Sequence, residues 1–316
     1  MASTLNRRAF LTTSAAALLT GCGARGQFTA LPAAVGAFDR KAILMATNRV
    51  DPASTDRSET LNYYDLEVAA PRNRIPGEVP VEGDNAFALT KQRQISTDQE
   101  LKRVIGPPTG DPLVIWVHGF NNTSAEAVYR QAQMAIDTGL RGPQLAFVWP
   151  SAATASGYLF DRDSALQARS SLEALFVRLG RIWSGQVTVI AHSLGCLLAM
   201  EALVRMRLQD RTVVLDSLVL LQPDISPDVF QSQVADISPL PKNALLVTSQ
   251  DDPALRISAF ASQSRNRVGA TQDGATYEDL GFRVVDLTGI PDAGNPHLVA
   301  LTSPTVLEFL RETNAR

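Results

Sequence analysis

From about Pro112 onward, short apolar runs bounded by turn residues alternate with longer segments of helical period. That rhythm predicts a parallel sheet covered by helices. Strands are expected over 113–118, 145–149, 187–192, 218–222, 244–249 and 283–287, and helices over 124–138, 163–181, 194–207, 227–234 and 304–313. Within 163–181, Ala165, Ala168, Leu172, Leu175 and Leu179 keep helical spacing and define one apolar face. Upstream, 42–46, 61–69 and 86–95 read as strands joined by polar, proline-containing turns. Antiparallel strands leading into a parallel sheet make one mixed α/β domain over 41–316, with no fixed-period repeat and no linker to divide it.

Composition narrows the function. Of 316 residues, 45% are hydrophobic and 19% charged, which suits a folded domain with a real core. The formal net charge of −3 offers no basic excess for nucleic acid, and none is expected as a partner. Two cysteines, Cys22 and Cys196, are too few for a disulfide scaffold, a structural zinc site or an iron–sulfur cluster. Cys196 reads as a small buried apolar side chain. Neither a phosphate-binding loop nor a dinucleotide glycine fingerprint is present, so no cofactor and no metal are expected.

The amino terminus reads as an address. Residues 9–21 carry no charge, are mostly small or apolar, and follow Arg7 and Arg8. This run is shorter than the roughly 20 apolar residues that span a membrane. Asn6-Arg7-Arg8-Ala9-Phe10-Leu11 resembles a twin-arginine signal, and Leu19-Thr20-Gly21-Cys22 resembles a bacterial lipoprotein cleavage box. The resemblance implies a signal over 1–21, lipidation at Cys22, and an exported protein anchored in the bacterial envelope on the periplasmic side. Residues 22–40, rich in Gly and Ala, read as a tether.

The chemistry sits at two strand ends. Val187-Thr188-Val189-Ile190-Ala191-His192-Ser193-Leu194-Gly195 is a β-branched strand that reaches a serine and turns straight into a helix. Such an elbow strains the serine backbone, exposes its hydroxyl at the carboxyl end of the sheet, and needs small residues two before and two after it. Ala191 and Gly195 occupy those positions; the usual pattern has glycine at both. Trp116-Val117-His118-Gly119-Phe120-Asn121-Asn122 ends an earlier strand in His-Gly and resembles the oxyanion turn of the α/β-hydrolases. The implied donors to a developing oxyanion are the N–H of Leu194 and that of Phe120 or Gly119.

A serine needs a base, and the base needs an acid to hold it. In this fold His118 shapes the oxyanion loop, and the side chain of His192, adjacent to Ser193, leaves the elbow elsewhere. His297, in the polar turn before the last helix, remains as the base. The fold order of serine, acid, histidine leaves Asp251 and Asp252 after the strand at 244–249, and Asp224 after the strand at 218–222. Trp149, Pro150 and Ser151 read equally as pocket lining or core, and Tyr158 and Asp161 as holders of a loop.

Taken together, Ile43-Leu44-Met45-Ala46-Thr47-Asn48-Arg49, His118-Gly119-Phe120-Asn121, Phe147-Val148-Trp149-Pro150-Ser151, Tyr158, Asp161, Ala191-His192-Ser193-Leu194-Gly195, Gln222-Pro223-Asp224-Ile225 and Asp252 resemble a bacterial family of α/β-hydrolases, the domain of unknown function numbered 900. The likeness spans about 41–310. It favours Asp252, which precedes an Ala-Leu helix start, with Asp224 and Asp251 as alternatives. It implies the α/β-hydrolase fold and a carboxylesterase-like serine hydrolase acting on a small ester or lipid-like substrate. The same parts serve a thioesterase or acyltransferase, or persist in an envelope binding or scaffold protein without catalysis.

Overall fold

The computed structural model describes residues 25–30, 37–83, 86–211, 215–261, 266–292 and 294–314. The expected signal over 1–21 and Cys22 lie outside the described residues. Three long strands come first: β1 (Phe38–Arg49), β2 (Arg57–Pro71) and β3 (Ala88–Ile95). A helix α1 (Asp98–Ile105) leads to β4 (Leu113–Val117), α2 (Ser124–Asp137), β5 (Gln144–Val148), α3 (Tyr158–Ile182), β6 (Val187–His192) and α4 (Leu194–Leu208). Then come β7 (Ser217–Leu221), α5 (Pro227–Ile237), β8 (Asn243–Thr248), α6 (Pro253–Ala261), a short α7 (Gly274–Asp279) and β9 (Arg283–Asp286). The chain closes with α8 (Val299–Thr302) and α9 (Pro304–Asn314).

The strands form one nine-stranded sheet ordered β3-β2-β1-β5-β4-β6-β7-β8-β9. β1 pairs antiparallel with β2 but parallel with β5, so it joins the antiparallel edge to the parallel body. Side chains alternate between the two faces of each central strand. Ile115, Val189 and Leu220 enter one core with Leu172 and Leu175 of α3 and Ala199 of α4. Trp116, Ala146 and Val148 enter a second core with Val128 and Tyr129 of α2. Burial on both faces explains why the parallel strands read as unbroken apolar runs. This is the α/β-hydrolase fold that the motifs implied.

Strand ends fall within a residue of expectation along the parallel body, and the predicted face of α3 is buried. Three differences have physical causes. The helix α3 starts at Tyr158 rather than 163, because its first turn exposes Leu159 and Phe160 and buries Asp161, the reverse of the apolar period that marks the rest of the helix. The helix α1 went unread; Leu101 and Ile105 give it a single turn of apolar face among charged residues, capped by Thr97. Finally, the segment expected to be a tether up to residue 40 is folded in part. β1 begins at Phe38, and residues 25–30 lie against α2 and β3, with Thr123 Oγ1 donating to the Gly26 carbonyl (2.7 Å) and an isolated bridge from Ala30 to Leu89.

Candidate active site

β6 delivers Ser193 at φ 52°, ψ −120°, in the left-handed half of backbone space that a serine rarely enters. The strained residue is held on both sides. Its N–H donates to the Leu221 carbonyl (2.9 Å), and its own carbonyl accepts from Cys196 (3.0 Å) and Asp224 (3.2 Å). Its side chain makes no capping bond to α4, which leaves the hydroxyl for other partners.

His297 and Asp252 are bonded to each other. Asp252 is fully buried, and its Oδ2 accepts from His297 Nδ1 at 2.6 Å and from Gln222 Nε2 at 2.7 Å. Its Oδ1 accepts from the N–H groups of Ala254 and Leu255, so the residue also starts α6. Four donors fix this carboxylate in place. Because it can only accept, His297 carries its hydrogen on Nδ1, leaving the Nε2 lone pair to take a proton.

Asp224 and Asp251 are placed elsewhere. Asp224 forms an ion pair with Arg267 (2.9 Å), both nearly fully buried, and accepts from Tyr158 Oη (2.9 Å) and Ser258 Oγ (2.5 Å). Asp251 accepts from the Gly289 N–H in an exposed turn.

The side chain of His192 does not leave the elbow, as its adjacency to Ser193 suggested. Its Nε2 lies 2.6 Å from the His297 carbonyl oxygen, and the two rings meet edge to face at 4.6 Å. A carbonyl only accepts, so His192 donates and braces the turn that carries His297. Gln222 is a second residue that sequence reasoning left without a role. At φ 46°, its amide bridges Asp252 Oδ2 and the Pro296 carbonyl (2.8 Å), joining acid to base. Its unusual backbone, which would mark it, is invisible in the residue string.

The opposite wall is the loop after β4. Gly119 sits so tightly against the elbow that a Cβ there would lie 2.8 Å from His192 Nδ1 and 3.1 Å from Ser193 Cβ. His118 is buried, stacks on Trp149 at 4.7 Å, and bonds the Gly119 carbonyl through Nδ1 (2.8 Å). Trp149 is therefore core: its Nε1 donates to the His118 carbonyl (2.8 Å). Asp161 accepts from the Asn121 N–H (2.9 Å), Ser151 Oγ (2.6 Å) and the Ala152 N–H (2.6 Å), while Ser151 Oγ accepts from the Asn122 N–H (3.1 Å). Arg49, buried beside them with burial lowering it to about 10, donates to the Asn122 carbonyl (3.2 Å). Asn121, at φ 58°, is locked by this set. The N–H groups of Asn121, Asn122 and Ala152 are thus occupied, whereas among the described residues those of Gly119, Phe120 and Leu194 have no acceptor.

Asp161→Asn puts an amide donor where three donors converge and loosens Asn121. Hydrolysis is then expected to fall about 10- to 100-fold in kcat with KM nearly unchanged, because an oxyanion donor acts in the transition state. Steady-state kinetics on a soluble ester check this; a rise in KM alone would contradict it.

The buried histidines set an acid limit on stability. Burial pushes His118 down to about 3 and His192 well below its ordinary value, the latter also through His297. Both are neutral when folded and take up a proton on unfolding below about pH 6.5. Their contribution is therefore full above pH 6.5 and is lost as pH falls below it, for His118 down to about 3, at about 1.4 kcal/mol per pH unit for each group that the unfolded chain protonates. Buried Asp161, whose carboxyl is pushed up mainly by burial, opposes this in part. Urea midpoints should fall steadily from pH 6.5 to 5, with a shallower slope in His118→Asn; an unchanged midpoint would refute the assignment.

The model of a family described as alpha/beta hydrolase of unknown function (DUF900) matches residues 93–312. Among solved structures, esterase PE8 is 16% identical over 66% of this chain and 96% of that one, with a TM-score of 0.44. Brefeldin A esterase, described as a bacterial homologue of human hormone sensitive lipase, is 14% identical over 99% and 86%, with a TM-score of 0.41. An uncharacterized protein from Bacillus cereus ATCC 10987 is 16% identical over 68% of this chain, which spans 65% of that protein, with a TM-score of 0.41. Among curated proteins nothing matches. The family match takes in Ser193, Asp252, His297 and the loop of Phe120 and covers more than two-thirds of the sequence, so the chain belongs to the DUF900 family of α/β-hydrolases.

Proposed function

We propose that this protein is a serine hydrolase of carboxylic esters that works through a covalent acyl-enzyme. The observation that carries the reading is the buried Asp252 bonded to His297 Nδ1, in a turn braced by His192, the residue next to the strained Ser193. In the proposed sequence, Ser193 Oγ attacks the ester carbonyl carbon while His297 Nε2 takes the Oγ proton. The carbonyl oxygen becomes an oxyanion held by the N–H groups of Phe120 and Leu194, the latter at the positive end of α4. Collapse breaks the bond to the alcohol, which leaves with the proton from His297. Water then repeats the sequence on the acyl-serine and releases the acid. Asp252 keeps the ring in the productive tautomer and stabilises its cation, with Gln222 and His192 as positioning residues.

A fluorophosphonate probe tests the reading on the intact protein. Labelling mapped by mass spectrometry to Ser193 is expected, together with hydrolysis of p-nitrophenyl esters whose preferred acyl length sizes the pocket. A protein that takes no label and hydrolyses none of them is a binding or scaffold protein.

We also propose that the chain is exported and held in the bacterial envelope by acyl groups on Cys22, because a plural acyl anchor gives stable attachment where one chain does not. Cys22→Ser is expected to move the protein from the membrane to the soluble fraction. Retention of the variant on membranes would refute the anchor.

A further inference from the structure

We infer that the catalytic mouth is docked against the membrane and takes its ester from the lipid surface, so that the substrate is a bilayer-borne acyl ester. The inference rests on the serine-hydrolase reading and on the anchor at Cys22. It comes from where the amino-terminal segment is fastened and from what surrounds the site.

Arg25, three residues after Cys22, grips the oxyanion loop itself. Its guanidinium donates to Asn121 Oδ1 (2.9 Å), to the Asn121 carbonyl (2.8 Å) and to Glu126 Oε2 (2.6 Å). Gly26 N–H reaches Glu126 Oε1 (3.2 Å), and Phe28 meets Tyr129 edge to face. Three residues span at most about 11 Å. An acyl anchor at Cys22 therefore holds the bilayer within that reach of the Arg25 backbone, and the Arg25 guanidinium bonds Asn121, whose neighbour Phe120 is the proposed oxyanion donor.

The same end of the molecule presents apolar side chains to solvent. Leu159 is 72% exposed and Phe160 38%, and both lie between Tyr158 and Asp161, the residues that touch Phe120 and Asn121. Ile257, 56% exposed, adjoins Ser258, which is bonded to Tyr158 Oη (2.8 Å). Val50 follows β1, whose carboxyl end lies with that of β5, and Val229 sits in the first turn of α5. Solvated leucine and phenylalanine at an active-site rim gain free energy by entering acyl chains. Arg57 stacks its guanidinium 4.5 Å from the centre of the Phe160 ring, an apolar residue with a cation at headgroup depth. The anchor's short reach and this rim point to the same occupant, a lipid surface.

The test uses full-length lipidated protein in vesicles of phosphatidylethanolamine and phosphatidylglycerol. Hydrolysis of a fluorogenic lipid ester in the bilayer is compared with that of dissolved p-nitrophenyl butyrate, before and after replacing Leu159 and Phe160 together with Ser. The double variant is expected to lose about tenfold or more on the bilayer ester, as loss of about 1.4 kcal/mol of apolar burial predicts. On the dissolved ester it should change by less than about twofold. Equal losses on both esters, or wild-type hydrolysis of the dissolved ester alone, would overturn the inference while leaving the hydrolase standing. If neither ester is cleaved and Ser193 takes no fluorophosphonate, the hydrolase reading fails and the substrate class with it. The docking is then read separately: Leu159→Trp fluorescence should be quenched by brominated acyl chains, and absence of quenching would overturn that too.

Discussion

Ser193→Ala is expected to lower kcat/KM for p-nitrophenyl butyrate by at least about three orders of magnitude, because it removes the atom that forms the acyl bond. The fold should survive: a serine that makes no capping bond loses only a hydroxyl. Asp252→Asn should cost nearly as much, about three to four orders, for a different reason. An amide donates where the carboxylate only accepts, which turns His297 to the wrong tautomer and leaves its cation unpaired. The two changes act on one device, so the double variant should be hardly worse than Ser193→Ala alone. Parallel steady-state rates and fluorophosphonate labelling decide the matter. Undiminished hydrolysis in Ser193→Ala would remove Ser193 from the chemistry, and full additivity would separate Asp252 from it.

How far such a site can be read from residues depends on whether its signal is local. The elbow is local: a β-branched run, a serine and Gly195 within one strand and one helix start. The loop at His118-Gly119 is local as well, and so is the start of α6 at Asp252. Choosing among three aspartates is not, because what separates them is contact across the sheet. Asp224 is occupied by Arg267, far along the chain, whereas Asp252 is joined to His297 by its own bond and by Gln222. His192 defeats adjacency in the same way, since its ring reaches a carbonyl about a hundred residues away in sequence. The fastening of 25–30 rests largely on one arginine and backbone carbonyls, which leave no periodic mark in a Gly- and Ala-rich stretch. The parallel strands were readable to within a residue because burial on both faces writes itself as continuous apolar runs.

Gly195→Ala is expected to destabilise the fold by about 3 kcal/mol or more and to abolish activity in whatever remains folded. An added Cβ would lie 2.3 Å from the His118 carbonyl oxygen and 2.5 Å from that of Val117. Both are backbone atoms, so the methyl group has no side chain to push aside. Relief requires α4 to move off the end of β4, which separates Leu194 from the oxyanion loop and opens the two-walled site. Position 191 makes the instructive contrast. The usual elbow has glycine there too, yet Ala191 is fully buried in the core under α4, so this chain already fills that space with a methyl group. Ala191→Gly should therefore cost only about 1 kcal/mol, through backbone freedom and lost packing, with little change in kcat. Urea unfolding of the two variants beside wild type checks the asymmetry. Comparable small losses at both positions would mean that strand and helix approach less closely than the contact at His118 requires, and a large loss at 191 would mean that its methyl is a structural element of the elbow.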